Sequence, residues 1–196
     1  DNLSGKEKNI TRTNHESNLE INPLKKVAIT NYMIMKAKKA VRKFNNLFYE
    51  GKSEVKQINE TVNATQAHHI FSQSDYPNIA DYIENLIMLT PNQHFSMAHP
   101  DNNTQYIDRD FQYICLISKF SKIYENLILN QDKSENQFYN FEDYKFVLNT
   151  GLNTEEFSKI SLQNFANILD VIDKFYSDDI QNNKYNFLIK DNKVIF

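Results

Sequence analysis

From Val27 to Phe48 the apolar positions recur with a helical period. Met33, Ile34, Ala37, Ala40, Val41, Phe44, Leu47 and Phe48 fall in one arc, and Lys36, Lys38, Lys39, Arg42 and Lys43 occupy the opposite one. The spacing predicts an amphipathic helix with one apolar and one basic face, broken by Gly51 and Ser53. The period then shortens. β-Branched residues and alternation from about Thr61 to Phe71 predict a strand, and the apolar run Leu86 to Leu89 predicts a second. Between them SQSDYPNIADYIEN reads as a loop with a short helical turn. Thr90-Pro91-Asn92-Gln93 is a strong helix start, with Thr as N-cap, Pro at the first helical position and Gln at the third. Pro100 disfavours helical geometry in the residue before it, so that helix ends near His99.

Beyond this point the pattern turns mainly helical. A long helix from about Thr104 to Leu129 has apolar positions that drift around the wheel, which predicts burial on more than one side. QDKSENQ reads as a loop, and a helix is expected around Phe141 to Leu148. Asn153 with Glu156 reads as a capping box opening a helix to about Phe175, and the tail YNFLI-KDN-KVIF reads as a small hairpin. Residues 1–22 are polar without apolar periodicity and read as a disordered lead-in or a linker. The expected architecture is therefore α+β and mainly helical, with a domain over 23–196 built round a small strand–strand–helix element at about 61–100.

Composition adds three constraints. No apolar run reaches the roughly 18 to 20 residues that a bilayer crossing takes, and no signal-peptide pattern opens the chain, so a cytoplasmic protein without membrane partners is expected. The single cysteine, Cys115, excludes an internal disulfide and a multi-cysteine zinc site, and its apolar surroundings, FQYICLI, mark it as a core thiol. Any metal must therefore be held by His, Asp, Glu or Asn. The net charge is −3, but residues 22–56 carry nine Lys/Arg against two Asp/Glu, leaving the remainder at −10. Such asymmetry fits an electrostatic footprint on one face, with Lys36, Lys39, Arg42 and Lys43 as candidate phosphate contacts; a solvated helix face has the same signature. The chain begins with Asp rather than Met, as a processed chain or a piece of a longer one does.

Four of the five histidines fall between residues 68 and 99. His68 and His69 sit at the predicted end of the first strand, where the bending chain lets both imidazoles reach one cleft. Asn85 lies before the second strand, and His94 lies on the capped helix that His99 closes. Taken singly, each reads as a capping, turn or surface residue. Together, two strand-end histidines, a spaced Asn and a helical His make an open site for a divalent cation, with an imidazole left over as a base at neutral pH.

HHI, then ENLIMLT, then QHFSMAH resembles the motif of the HNH (ββα-metal) endonucleases, which include homing endonucleases, HNH restriction enzymes and nuclease colicins. The colicin-type version, with adjacent histidines and a TP-x-x-H helix start, is particularly similar. The resemblance covers about residues 62–100. It implies His68 and His94 as metal ligands, His69 as the general base and Asn85 as the residue whose hydrogen bonds hold the loop and orient that base.

One position departs from the family. A third ligand usually follows the helical His by four residues; here that position is Ala98, and His99 lies five away, about 140° round an ideal helix. If the last turn unwinds before Pro100, His99 reaches the metal; otherwise it supports the ligands from behind or touches DNA phosphate.

The resemblance further implies hydrolysis of DNA phosphodiester bonds with one divalent ion, Mg²⁺ or Mn²⁺ foremost, then Zn²⁺ or Ni²⁺. Double-stranded DNA would be the partner, and a homodimer or a DNA-recognition domain elsewhere in a longer chain would supply targeting. A type II restriction endonuclease, or the cleavage domain of one, is the first expectation. A colicin-type nuclease toxin and a non-catalytic metal- or DNA-binding domain are the alternatives; the −3 net charge speaks against the toxin.

Overall fold

The first helix, α1 (Pro23–Phe48), buries Ile34, Ala37, Val41 and Phe44, spaced so that all four share one face. The computed structural model describes residues 23–130 and 137–196, so the lead-in expected for residues 1–22 lies outside it. The ends of the predicted apolar arc behave differently, because Leu47 and Phe48 are exposed, Phe48 resting against Phe44 at a tilt. After α1 the chain reverses at Gly51, whose φ of 68° belongs to the left-handed region that a side chain would strain.

Two short strands, β1 (Gln66–His69) and β2 (Leu86–Leu89), pair antiparallel, with His68 opposite Ile87 and His69 opposite Leu86. The first is much shorter than the strand expected over Thr61 to Phe71; the second matches its prediction. Every residue of β2 is buried, and alternation sends its side chains to two different partners. Leu86 and Met88 pack with Ala37 and Val41 of α1, whereas Ile87 and Leu89 join the main core. The sheet is thereby held between α1 and the helical remainder. Its free edge at Met88 is closed by Glu54: the Glu54 N–H donates to the Met88 carbonyl at 2.9 Å, and the Met88 N–H donates to Glu54 Oε1 at 2.9 Å.

The main core centres on α2 (Arg109–Tyr124), in which Phe111, Tyr113, Ile114, Cys115, Leu116, Ile117, Phe120 and Ile123 are all buried. This is the many-sided burial that its drifting pattern predicts. The helix starts at Arg109 rather than near Thr104, because Asp108 caps it by accepting from the Phe111 N–H at 3.0 Å. Cys115 is buried, and burial pushes its thiol well above the ordinary range, so it is an inert core group.

The helices α3 (Phe141–Leu152), α4 (Asn167–Phe175), α5 (Ser177–Gln181) and α6 (Asn186–Asn192) complete the molecule. Gly151 lets α3 lie against Phe71, whose ring would be 2.4 Å from any Cβ added there.

Two C-terminal expectations are overturned. Asn153 does not open a capping box with Glu156; it ends α3 in the left-handed conformation, a role Asn tolerates nearly as well as Gly. The tail is helical rather than a hairpin, because polar anchors tie it to α2 in place of a partner strand. Asn183 Nδ2 donates to the Asp110 carbonyl at 3.1 Å, and Asn192 Oδ1 accepts from Ser118 at 3.1 Å.

The whole is mainly helical α+β, and among the described residues no helix is long and apolar enough to cross a membrane.

Candidate metal centre

β1 ends at His69, and the first turn beyond it is fixed from inside by Asn85. The Asn85 side chain accepts from the Phe71 N–H at 2.9 Å and donates to the carbonyls of Phe71 and Ile79 at 3.0 and 3.2 Å. The two to Phe71 serve buried backbone groups, and the third adds to the bond that the Ile79 carbonyl already accepts from the Tyr82 N–H. This side chain is fully buried and sets the path of the loop that leaves the histidine pair.

The other wall begins at the predicted capping box, which forms in both directions: Gln93 N–H donates to Thr90 Oγ1 at 3.3 Å, and Thr90 N–H to Gln93 Oε1 at 3.1 Å. Gln93 also donates to the Val55 carbonyl at 3.1 Å, pinning this helix start to the loop after α1.

The winding of this helix decides where His99 points. Gln93–Ala98 forms a π-helix, with the His99 N–H donating to the His94 carbonyl at 3.1 Å. Residues five apart then lie one turn above each other, so the spacing that misplaces His99 on an α-helix aligns it here. The turn widens, and helical geometry ends at His99, whose φ of −124° and ψ of 79° are non-helical.

His68, His94 and His99 consequently converge. One nitrogen from each ring lies within 4.8 Å of the other two. Ring centroids are 4.8 to 5.3 Å apart, each pair edge to face. His68 and His99 are buried. His69, on the opposite face of β1 by register, lines the same cavity of about 410 Å³, as expected for a strand ending at that point.

Hydrogen bonding assigns the proton on two rings. A carbonyl oxygen only accepts, so His69 Nε2, 2.9 Å from the Ala80 carbonyl, carries the hydrogen and leaves Nδ1 with a free lone pair. By the same argument His99 Nδ1 donates to the Tyr106 carbonyl at 2.8 Å, leaving Nε2 as its available ligand atom. His94 Nδ1 is buried with no hydrogen-bond partner.

Burial, then the charges of His99, His94, His69 and Lys38, hold His68 well below the usual imidazole range. Burial and then Lys38 bring His69 to about 4, against a smaller opposing effect of its Ala80 bond, and burial with His99 and Lys38 brings His94 to about 4. These three imidazoles are neutral at pH 7, the state in which imidazole ligates a metal or accepts a proton.

The cluster fits a metal ion. Two metal–imidazole bonds end to end span about 4.1 Å, so rings already within 4.8 Å close on an ion with small rotations. A buried, unpartnered nitrogen on His94 is the kind of atom such an ion would satisfy.

Lys36, Lys39, Arg42 and Lys43 are all exposed, and none lines the cavity; the guanidinium of Arg42 donates to the Thr65 carbonyl at 3.3 Å. The α1 residue that does line it is Lys38, half-buried, its pKa lowered by burial and by Arg42. Sequence reasoning places Lys38 on the basic arc but does not single it out. Its signal is position, at the flank of the apolar face one turn before Arg42. The carbonyls of Ala80 and Tyr106 leave no signal of this kind, since any residue supplies one.

Comparisons with protein-family models, with curated proteins and with solved structures return no match to this chain.

Proposed function

We propose that this chain is a metal-dependent endonuclease of the HNH (ββα-metal) type that hydrolyses DNA phosphodiester bonds, acting as a restriction endonuclease or as the cleavage domain of one. The observation that carries the reading is the division of labour among four imidazoles in one cavity. Three face each other at ligating distance, and the fourth, His69, is oriented by a backbone carbonyl with its free nitrogen unprotonated. The element order of strand, Asn-stabilised loop, strand and helix agrees with it.

His68, His94 and His99 would hold the ion. Their donor set is all imidazole, which favours Zn²⁺ or Ni²⁺ over Mg²⁺, whose preferred partners are carboxylate, carbonyl and water oxygens. The bound ion supplies Lewis-acid stabilisation of charge on the phosphoryl and leaving oxygens. His69 Nδ1 accepts a proton from water as the water oxygen attacks phosphorus, and the bond from phosphorus to the 3′ oxygen breaks, that oxygen taking a proton from solvent, to leave a 3′-hydroxyl and a 5′-phosphate. Asn85 holds the loop from which His69 takes its orientation. The exposed cations of α1 attract the nucleic-acid backbone without reading its sequence.

The experiment is cleavage of supercoiled plasmid with Zn²⁺, Ni²⁺, Mn²⁺, Mg²⁺ or EDTA, comparing wild type with His69→Ala. Metal-dependent nicking or linearisation that disappears in His69→Ala is the expected result, and discrete bands would favour a restriction enzyme. Plasmid left intact with every metal sinks the reading, and metal binding by that inactive protein would make the cluster structural.

A further inference from the structure

The cavity beside the imidazoles has an unusual charge inventory. Among the described residues its lining includes four histidines and the uncharged hydrogen-bonding side chains of Ser72, Gln73, Ser74, Thr104 and Gln105, but no carboxylate. Among those described residues Lys38 is its single Lys or Arg. That ammonium makes no hydrogen bond and no ion pair among the described residues, and its strongest neighbouring charge is another cation, Arg42. It lines the cavity together with His68, His69 and His94, and its charge contributes to lowering all three imidazoles. A half-buried cation with no counter-charge among the described residues is a cost to the fold, and an anionic ligand removes that cost.

The other basic residues of α1 differ. Lys36, Lys39 and Lys43 are exposed and lie on a separate stripe of the helix from Lys38 and Arg42.

We infer that Lys38 is the phosphate-anchoring residue of this site: it holds the scissile phosphate against the imidazoles, while Lys36, Lys39 and Lys43 contribute only general attraction. The inference rests on the phosphodiesterase reading for the identity of the anion, and on the cavity itself for its charge.

The test is a titration of the full chain, without metal, with inorganic phosphate, following the backbone amide resonances of Ser72, Ser74, Thr104 and Gln105. The expected result is that phosphate shifts these signals in wild type and in Lys39→Met, not in Lys38→Met, and again in Lys38→Arg. Lys38→Met should also lower kcat on plasmid by about a hundredfold, the loss seen when one preorganised donor is removed from a reacting oxyanion, with Lys38→Arg recovering most of it. Its salt dependence of duplex binding should lose about 0.9 in slope, one phosphate contact.

Cavity signals that ignore phosphate in wild type, or that still move in Lys38→Met, overturn the inference whether or not the protein cuts DNA. Conversely, a phosphate response that depends on Lys38 in a protein that leaves plasmid intact with every metal keeps the anchor and removes the nuclease reading.

Discussion

Two buried polar clusters adjoin the small sheet, one at the edge of β2 and one at β1, and they solve burial in opposite ways. In the first, Lys119 Nζ lies 2.6 Å from Glu54 Oε2, the two side chains being 0% and 2% exposed, and the same ammonium donates to the Tyr139 hydroxyl at 3.0 Å. Glu54 meanwhile completes β2 through its other oxygen. Opposite charges answer each other within the protein. In the second, His68, His94 and His99 present like to like. Three imidazoles face one another, with Lys38 lining the same cavity and no acidic group in its lining among the described residues. The first cluster is finished by folding; the second has no counter-group among the described residues and could hold a metal ion. Burial of polar groups therefore marks a site only where complementarity within the protein is lacking.

The largest expected effect tests the finished cluster. Lys119→Met leaves the Glu54 carboxylate buried without its counter-charge and should cost about 3–5 kcal/mol in urea unfolding. A Glu54→Gln/Lys119→Met double variant should recover part of that loss. A single variant within about 1 kcal/mol of wild type, by the same scale, would erase the contrast. Next comes the unfinished cluster. Zn²⁺ at about a hundredfold its dissociation constant should raise the unfolding free energy by about 2.7 kcal/mol. EDTA should reverse the gain, and His94→Ala or His99→Ala should show none. If wild type is indifferent to Zn²⁺, Ni²⁺ and Mn²⁺, the three rings form no ligand set.

Asn85 sharpens the comparison, since it stands beside the unfinished cluster yet is fully satisfied. Asn85→Ala should cost about 1–3 kcal/mol, as loss of partners from buried backbone groups does, and should leave the metal dissociation constant unchanged. Calorimetric titration that shows weaker metal binding in step with stability would make it part of the centre. The smallest effect concerns the π-turn. Deleting the exposed Ser96 should turn Gln93–Ala98 into an α-helical turn, with the two imidazoles now four residues apart and still on one face. Metal affinity should then stay within about tenfold of wild type, whereas a misdirected ligand would lose more than the roughly 10–100-fold that an outer partner is worth.

How much of this was legible in the sequence depends on whether the signal was local. β2 and the Thr90–Gln93 capping box followed from residue types and short spacing, and so did the meeting of His68, His69 and His94 in one cavity. That Asn85 holds the loop followed from the resemblance, and its hydrogen bonds to the Phe71 and Ile79 backbone agree with that part. The π-turn did not follow, because an α-helical wheel assumes the very period that the turn alters. The C-terminal helix did not follow either: YNFLIKDN is too short for periodicity to separate helix from strand, and Asn183 and Asn192 decide the matter through contacts with distant α2 and the loop after α1. Lys38 was hidden by abundance. Among five basic residues on one arc, only the tertiary placement of β1 and the Thr104–Gln105 segment distinguishes the one facing the cavity.

The closure of β2 by Glu54 bears on how the molecule behaves in a crowded solution. A two-stranded sheet has two edges, and an apolar strand such as Leu86–Leu89 with open peptide groups is a template on which other chains aggregate. At Met88 both of those groups are already taken, one by a backbone N–H and one by a carboxylate that cannot continue a ladder. The residue that anchors the buried ion pair thus also acts as a gatekeeper, keeping the fully buried apolar strand of the protein from recruiting copies of itself.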